Sequence, residues 1–233
     1  MNFGALIITG FFMLVGWIVS SRLKGKFAKY SQVQLKQNLT GADVARLMLA
    51  DSGISDVKVI SVEGQLSDHY NPANKTVNLS LDVYNGRNAA ATAVAAHECG
   101  HAVQHAKAYS MLELRSALVP IQNISAKIIN FIFLAMMFGA YALGGIFSYD
   151  LALLVIIGCY GVFALFALIT LPVEFDASKR ALAWIEQRGI VTSQEHDMAK
   201  DALKWAAMTY VVAAIGAITM LLYYVMIFLG RRN

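Results

Sequence analysis

Charge is scarce in this chain. Only 15% of its 233 residues are Asp, Glu, Lys or Arg, 58% are hydrophobic, and the mean hydropathy is +0.54. A soluble domain carries about 25% charged and about 45–50% apolar residues. A wholly soluble globule is therefore excluded, and part of the chain is expected in a membrane. Cysteine is nearly missing. Cys99 lies inside a histidine-rich motif and Cys159 inside an apolar run, so there is no disulfide framework. The net charge of +4 is not gathered into a basic stripe with interleaved aromatics, which excludes nucleic acid as a partner. Internal repeats and low-complexity linkers are also missing.

Four runs contain no Lys, Arg, Asp or Glu at all: residues 3–20, 128–147, 151–171 and 206–230. Each reaches the roughly 18 apolar residues that a spanning helix needs. Their freedom from ionisable residues argues against a transporter, whose spans carry charged groups along the pathway. The first run has no preceding Lys or Arg and exceeds the about 7–15-residue core of a signal peptide, so a retained anchor is expected.

Orientation follows from Arg22, Lys24, Lys26 and Lys29, which come directly after the first run. Positive residues stay on the cytoplasmic side. Alternation then puts residues 21–127 and 172–205 in the cytoplasm and the short turn 148–150 outside. Of the 19 basic residues, 17 fall in the two cytoplasmic segments, and Arg231 and Arg232 are the exceptions. Two spans separate the cytoplasmic segments, so they share one side and can build one site together. The expected fold class is mainly α, a multi-pass membrane protein of about four spans with a small α+β cytoplasmic unit. The expected divisions are an anchor over 1–21, the cytoplasmic unit over 22–127 and a membrane hairpin over 128–171. A cytoplasmic helical segment over 172–205 and a last span over 206–233 follow.

Within the polar part, residues 38–52 read as an amphipathic helix. Thr40 with Asp43 three residues on resembles a capping box, and Gly53 stands where a helix stop is wanted. Residues 57–62 are rich in β-branched side chains and suggest a strand. DHYNPANK (68–75) is full of turn residues. TVNLSL (76–81) alternates as a half-buried strand does, and is expected at the sheet edge, where a peptide could add as a further strand. After a turn at 85–88, a helix is expected from Asn88 to just before Pro120.

That helix carries AAHECGHAVQH (95–105). Residues four apart lie on one helical face, so His97 and His101 present two imidazoles suited to one zinc ion. Glu98, beside the first of them, can take a proton from a metal-activated water. Zinc lowers the pKa of such a water towards about 7. His105 lies on the same face but about 12 Å from His97 along the axis, at about 1.5 Å per residue. Zinc–nitrogen bonds of about 2.0–2.1 Å exclude it from the same ion. A third ligand must come from elsewhere on the same side of the membrane. LPVEFDASKRA (171–181) offers Glu174 and Asp176 just past the third span. Pro172 suits the first turn of a new helix, and Glu174 would then project from near its start, either as a ligand or as an acid complementing the helix dipole. His69 and Tyr70 lie in the turn before the strand at 76–81 and are candidates for substrate contact.

HECGHAVQHA followed, after a membrane hairpin, by LPVEFDASKRA closely resembles the YugP-type membrane zinc metallopeptidases of bacteria, over most of the chain. A looser resemblance is to the HtpX and CAAX-prenyl type of membrane protease, which combine H-E-x-x-H with a Glu-x-x-x-Asp motif whose Asp orients a histidine. That resemblance implies Glu174 as third ligand. It puts Ser178 at the Asp position, a departure that leaves Asp176, Ser178 and Arg180 all open as partners of the ligands. Intramembrane site-2 proteases fit less well, since the motif helix carries Lys107 and Arg115 and no Leu-Asp-Gly occurs.

The expectation is a membrane-anchored zinc endopeptidase of a bacterial cell membrane, gluzincin-like, with one zinc per chain held by His97, His101 and Glu174. Glu98 is the general base and the site is cytoplasmic. Its partners are a peptide or protein substrate and the bilayer, with other membrane proteins or a second copy as further candidates. A role in membrane protein quality control would suit it. The rival is a catalytically silent metal-binding scaffold or adaptor of another protease. Glu98 speaks against the rival, because a structural site has no need of that acid.

Overall fold

The computed structural model of the chain describes residues 3–138 and 149–231. The far end of the second expected span, residue 148 of the outer turn, and Arg232 lie outside the described residues. In chain order the elements are α1 (Phe3–Tyr30), α2 (Gly41–Asp51), β1 (Lys58–Val62), β2 (His69–Asn71), β3 (Thr76–Ser80) and α3 (Leu81–Asn85). They continue with α4 (Ala89–Ala106), α5 (Ser110–Phe138), α6 (Tyr149–Gln187) and α7 (Ser193–Gly230). The chain is mostly helical with one small mixed sheet, and α1, α5, α6 and α7 are each long and apolar enough to cross a membrane. The expected fold class is thus found.

The chain divides into two compact units. One holds the apolar stretches of α1, α5, α6 and α7. Its large side chains stay mostly on the outside, among them Phe11, Trp17, Phe131, Leu154 and Met226. Such faces suit lipid, where nothing is gained by hiding them. Small residues let the helices approach: a Cβ on Gly216 would lie 3.3 Å from the Phe12 ring, and Gly4 faces the Tyr223 ring. Arg231 ion-pairs with Asp150 at 3.3 Å and lies over the Tyr149 ring.

The other unit comprises Val19–Glu113 and Pro172–Met208. Its core gathers Val44 and Met48 of α2, Val77 and Leu79 of β3, the alanines of α4, and Ile185 of α6. The capping box at Thr40 and Asp43 is present with both reciprocal bonds, and α2 stops at Gly53 in a left-handed conformation. Asn88 caps α4 by accepting from Ala91 N–H at 2.8 Å. Alanines make up most of the first two turns of α4, and in the turn that follows the Cys99 thiol meets the Ala45 carbonyl at 3.5 Å.

Four local expectations are corrected. The strand order is β1-β3-β2, with β3 parallel to β1 and antiparallel to β2. The strand at 76–81 is therefore central and both its edges are taken. The edge strands are β1 and the short β2, which forms from His69–Asn71 inside the run read as a turn. The motif helix ends at Ala106 instead of running on to Pro120. Ala108 takes a left-handed φ of 48° and Tyr109 N–H bonds back to the Gln104 carbonyl at 3.0 Å, a Schellman-type stop usually marked by glycine. Pro120 sits inside α5. Pro172 likewise does not begin a helix: it lies within α6, which continues unbroken from Tyr149 to Gln187. A proline inside a helix removes one hydrogen bond but is tolerated in spanning helices, where neighbouring groups re-satisfy the backbone.

Candidate metal centre

All the candidate residues lie in the second unit. The spacing of four on α4 brings His97 and His101 to one face, with ring centroids 4.8 Å apart. Helix α6 supplies the third group. Glu174 Oε2 lies 3.3 Å from His97 Nε2 and 3.7 Å from His101 Nε2. One donor atom from each residue falls within 4.8 Å of the others. Four donors at about 2.0–2.2 Å from a tetrahedral zinc are spaced about 3.3–3.6 Å from one another. Both the spacing and the two-imidazole, one-carboxylate chemistry of this set fit that ion.

The approach of the two helices depends on Gly100, between the histidines. A Cβ there would stand 2.6 Å from the Ala177 carbonyl oxygen. Ala177 and Ala181 are fully buried along the facing side of α6.

Glu174 is only 2% exposed, and a buried carboxylate must be paired to stay ionised. Burial pushes its pKa up. The His101 and His97 imidazoles outweigh burial and hold it well below the usual carboxylate range. Burial disfavours a charged His101, but Glu174, Glu98 and Gln104 together raise its pKa above the ordinary histidine value.

The far nitrogens of the two rings are also engaged. Ser178 Oγ is 3.1 Å from His97 Nδ1. Gln104 Oε1 is 2.9 Å from His101 Nδ1. The Gln104 amide then donates to the Val173 carbonyl and to Asp176 Oδ2, both at 2.8 Å. Arg180 Nε donates to the same Asp176 oxygen at 2.6 Å. Burial raises the Asp176 pKa, but Arg180 and Gln104 more than reverse this and leave it lowered. The Ser178, Asp176 and Arg180 side chains thus each join the chains of hydrogen bonds that end on the two imidazoles.

Glu98 is buried and accepts from the Tyr70 main-chain N–H at 2.9 Å. Edge strand β2 therefore touches the carboxylate directly. The Tyr70 hydroxyl is turned away to His105 Nδ1, 2.7 Å distant. The His69 side chain is exposed and meets the Ser67 carbonyl at 2.8 Å. His196 lies 3.9 Å from Glu186.

One participant escapes the sequence reading, together with a half-buried acid near the sheet. Gln104 is fully buried. It lies three residues past His101 on the same face, and a polar residue there signals a partner waiting across the interface. Asp68 is half-buried, its pKa is raised by burial, and it accepts from Ser80 N–H at 2.7 Å. No local pattern marks it.

The family described as "Putative neutral zinc metallopeptidase" matches residues 5–229 of the chain. Among curated proteins, the chain is 40% identical over 212 residues to the Bacillus subtilis protein named "Putative membrane protease YugP", covering 91% of each. No solved structure matches it. With the match running through all four apolar helices and the His–His–Glu cluster, the chain belongs to this zinc metallopeptidase family.

Proposed function

We propose that the chain is a membrane-anchored, zinc-dependent endopeptidase, gluzincin-like, working on the cytoplasmic face. His97, His101 and Glu174 hold one zinc ion and Glu98 is the general base. The observation that carries the reading is the convergence of three buried or half-buried donors on one point, with Glu98 on the adjoining position of the same helix. Zinc, when bound, supplies Lewis acidity that brings the pKa of water near neutrality and polarises a carbonyl.

The chain's own residues do the rest. Glu98 takes a proton from the attacking water and delivers it to the leaving amine, as a positioned carboxylate does in general acid–base catalysis. The Tyr70 N–H holds one oxygen of Glu98 and leaves the other to act. Alignment of the peptide by strand addition falls to β2, the edge strand that meets Glu98. Among the described residues three donors meet, a set that would leave a coordination position open as a catalytic zinc site requires, whereas a structural site is closed by four. That supports the enzyme over a silent scaffold.

The cytoplasmic assignment rests on the basic residues that follow the first span and on span parity. Membrane proteins or unfolded chains at the membrane surface are the substrates proposed, in keeping with a quality-control role. Purified wild type and Glu98→Gln test the reading. Both should bind about one zinc per chain, and only wild type should cleave an unfolded or membrane-protein panel. Equal absence of cleavage in both would favour the scaffold.

A further inference from the structure

The hydrogen bonds around Gln104 have a direction that the hydrogen bond at His97 lacks. The amide nitrogen of Gln104 faces two groups that can only accept, the Val173 carbonyl and the Asp176 carboxylate, each at 2.8 Å. Turning the amide over would set its oxygen against both, so the nitrogen must stay where it is. The amide oxygen is then fixed on His101 Nδ1 at 2.9 Å. An oxygen cannot donate, so Nδ1 must carry the hydrogen. The lone pair of a neutral ring is then left on Nε2, the nitrogen facing Glu174.

His97 is different. Its Nδ1 meets the Ser178 hydroxyl, which donates or accepts with equal ease and therefore selects neither tautomer. From this asymmetry we infer that Gln104 is a positioning residue that locks His101 in the Nδ1–H form, through an amide held by Asp176 and, behind it, Arg180. The inference names how one ligand of the proposed metal site is oriented and so rests on that reading for its functional weight.

The arrangement also separates charge from the ring. A carboxylate bonded directly to a ligating histidine raises its basicity. Here a neutral amide stands between, and the Asp176 charge is balanced by Arg180 at 2.6 Å. His101 is oriented without taking on a full second anion.

The tautomer can be read directly. Full-length protein labelled with 15N-histidine is treated with chelator and studied by solid-state NMR, with the His101 signal assigned by its loss in His101→Gln. Nδ1 should be protonated in wild type. A His101 protonated only on Nε2 overturns the inference, and the tautomer itself is read on the wild-type protein. Zinc affinity, measured by competition with a chromogenic chelator, gives the functional arm. Gln104→Met should weaken binding about 10–100-fold, as loss of such partners does at other sites, and Ser178→Ala should weaken it less. Unchanged affinity in Gln104→Met overturns the positioning role. If wild type binds no zinc yet His101 carries the Nδ1 proton, the metal reading fails and the hydrogen-bond assignment stands.

Discussion

Gly100 and Ala177 touch across the α4–α6 interface so closely that a single methyl would meet a carbonyl oxygen at 2.6 Å. The obstacle is backbone, which cannot swing away as a side-chain tip can. Gly100→Ala gains helix propensity of about 1 kcal/mol, but overpacking a rigid contact costs about 1–3 kcal/mol. The expected result is a net loss of stability together with weakened zinc binding, because Glu174 is displaced with α6. Thermal unfolding and zinc competition on the same preparation check both, and a variant with wild-type values in each would show that the interface gives more than the geometry allows.

Glu174 is buried and meets both imidazoles. Glu174→Gln keeps its shape and removes its charge. Zinc affinity should fall by more than the about 10–100-fold typical of residues that only orient a ligand. Stoichiometry after dialysis against a buffered zinc series measures this. Retention of tight binding would remove Glu174 from the ligand set.

Tyr70 reaches Glu98 through its main chain, so changing its side chain misses the contact. Tyr70→Pro deletes the N–H itself, at an edge strand where proline is tolerated. A hydrogen bond to a charged group contributes about 1.5–3 kcal/mol, so kcat should drop about 10–100-fold with zinc content unchanged. Tyr70→Phe, which removes only the hydroxyl at His105, should leave kcat near wild type. Equal effects from the two substitutions would place the role in the hydroxyl.

The Thr40 hydroxyl holds the Asp43 carboxyl below its usual pKa against the opposing push of burial, with smaller help from the Thr40 N–H. A carboxylate whose folded pKa is depressed lends stability above its unfolded pKa of about 3.9, and loses it as pH falls through the folded value. Thr40→Ala should cost about 0.5–2 kcal/mol at neutral pH and much less well below pH 4. Tryptophan fluorescence during denaturant unfolding at pH 7 and at acid pH follows the difference.

Much of this architecture is legible one residue at a time. The spacing of His97 and His101, the capping box at Thr40 and the four uncharged runs each obey a short-range rule. Span parity then indicates which polar segments can meet, and His97, His101 and Glu174 do come together. What escapes reading is non-local or lacks its usual marker. The order of three strands depends on which edges remain free, so 76–81 looks peripheral and lies in the middle. Ala108 takes the left-handed turn that Gly53 and Gly189 take elsewhere, without the glycine that announces it. Pro172 signals a helix start but sits within a helix that runs on from an apolar stretch. The contact at Gln104 exists only because α6 is packed against that face of α4.

The separation of Glu174 from the histidines in the chain has a consequence for biosynthesis. Seventy-two residues are made between His101 and Glu174. At about 5–20 residues per second, the nascent chain presents the histidine pair for several seconds before the carboxylate exists, and two apolar stretches must be synthesised in between. The proposed activity, which needs all three groups, would stay disarmed on the ribosome until Glu174 has been made.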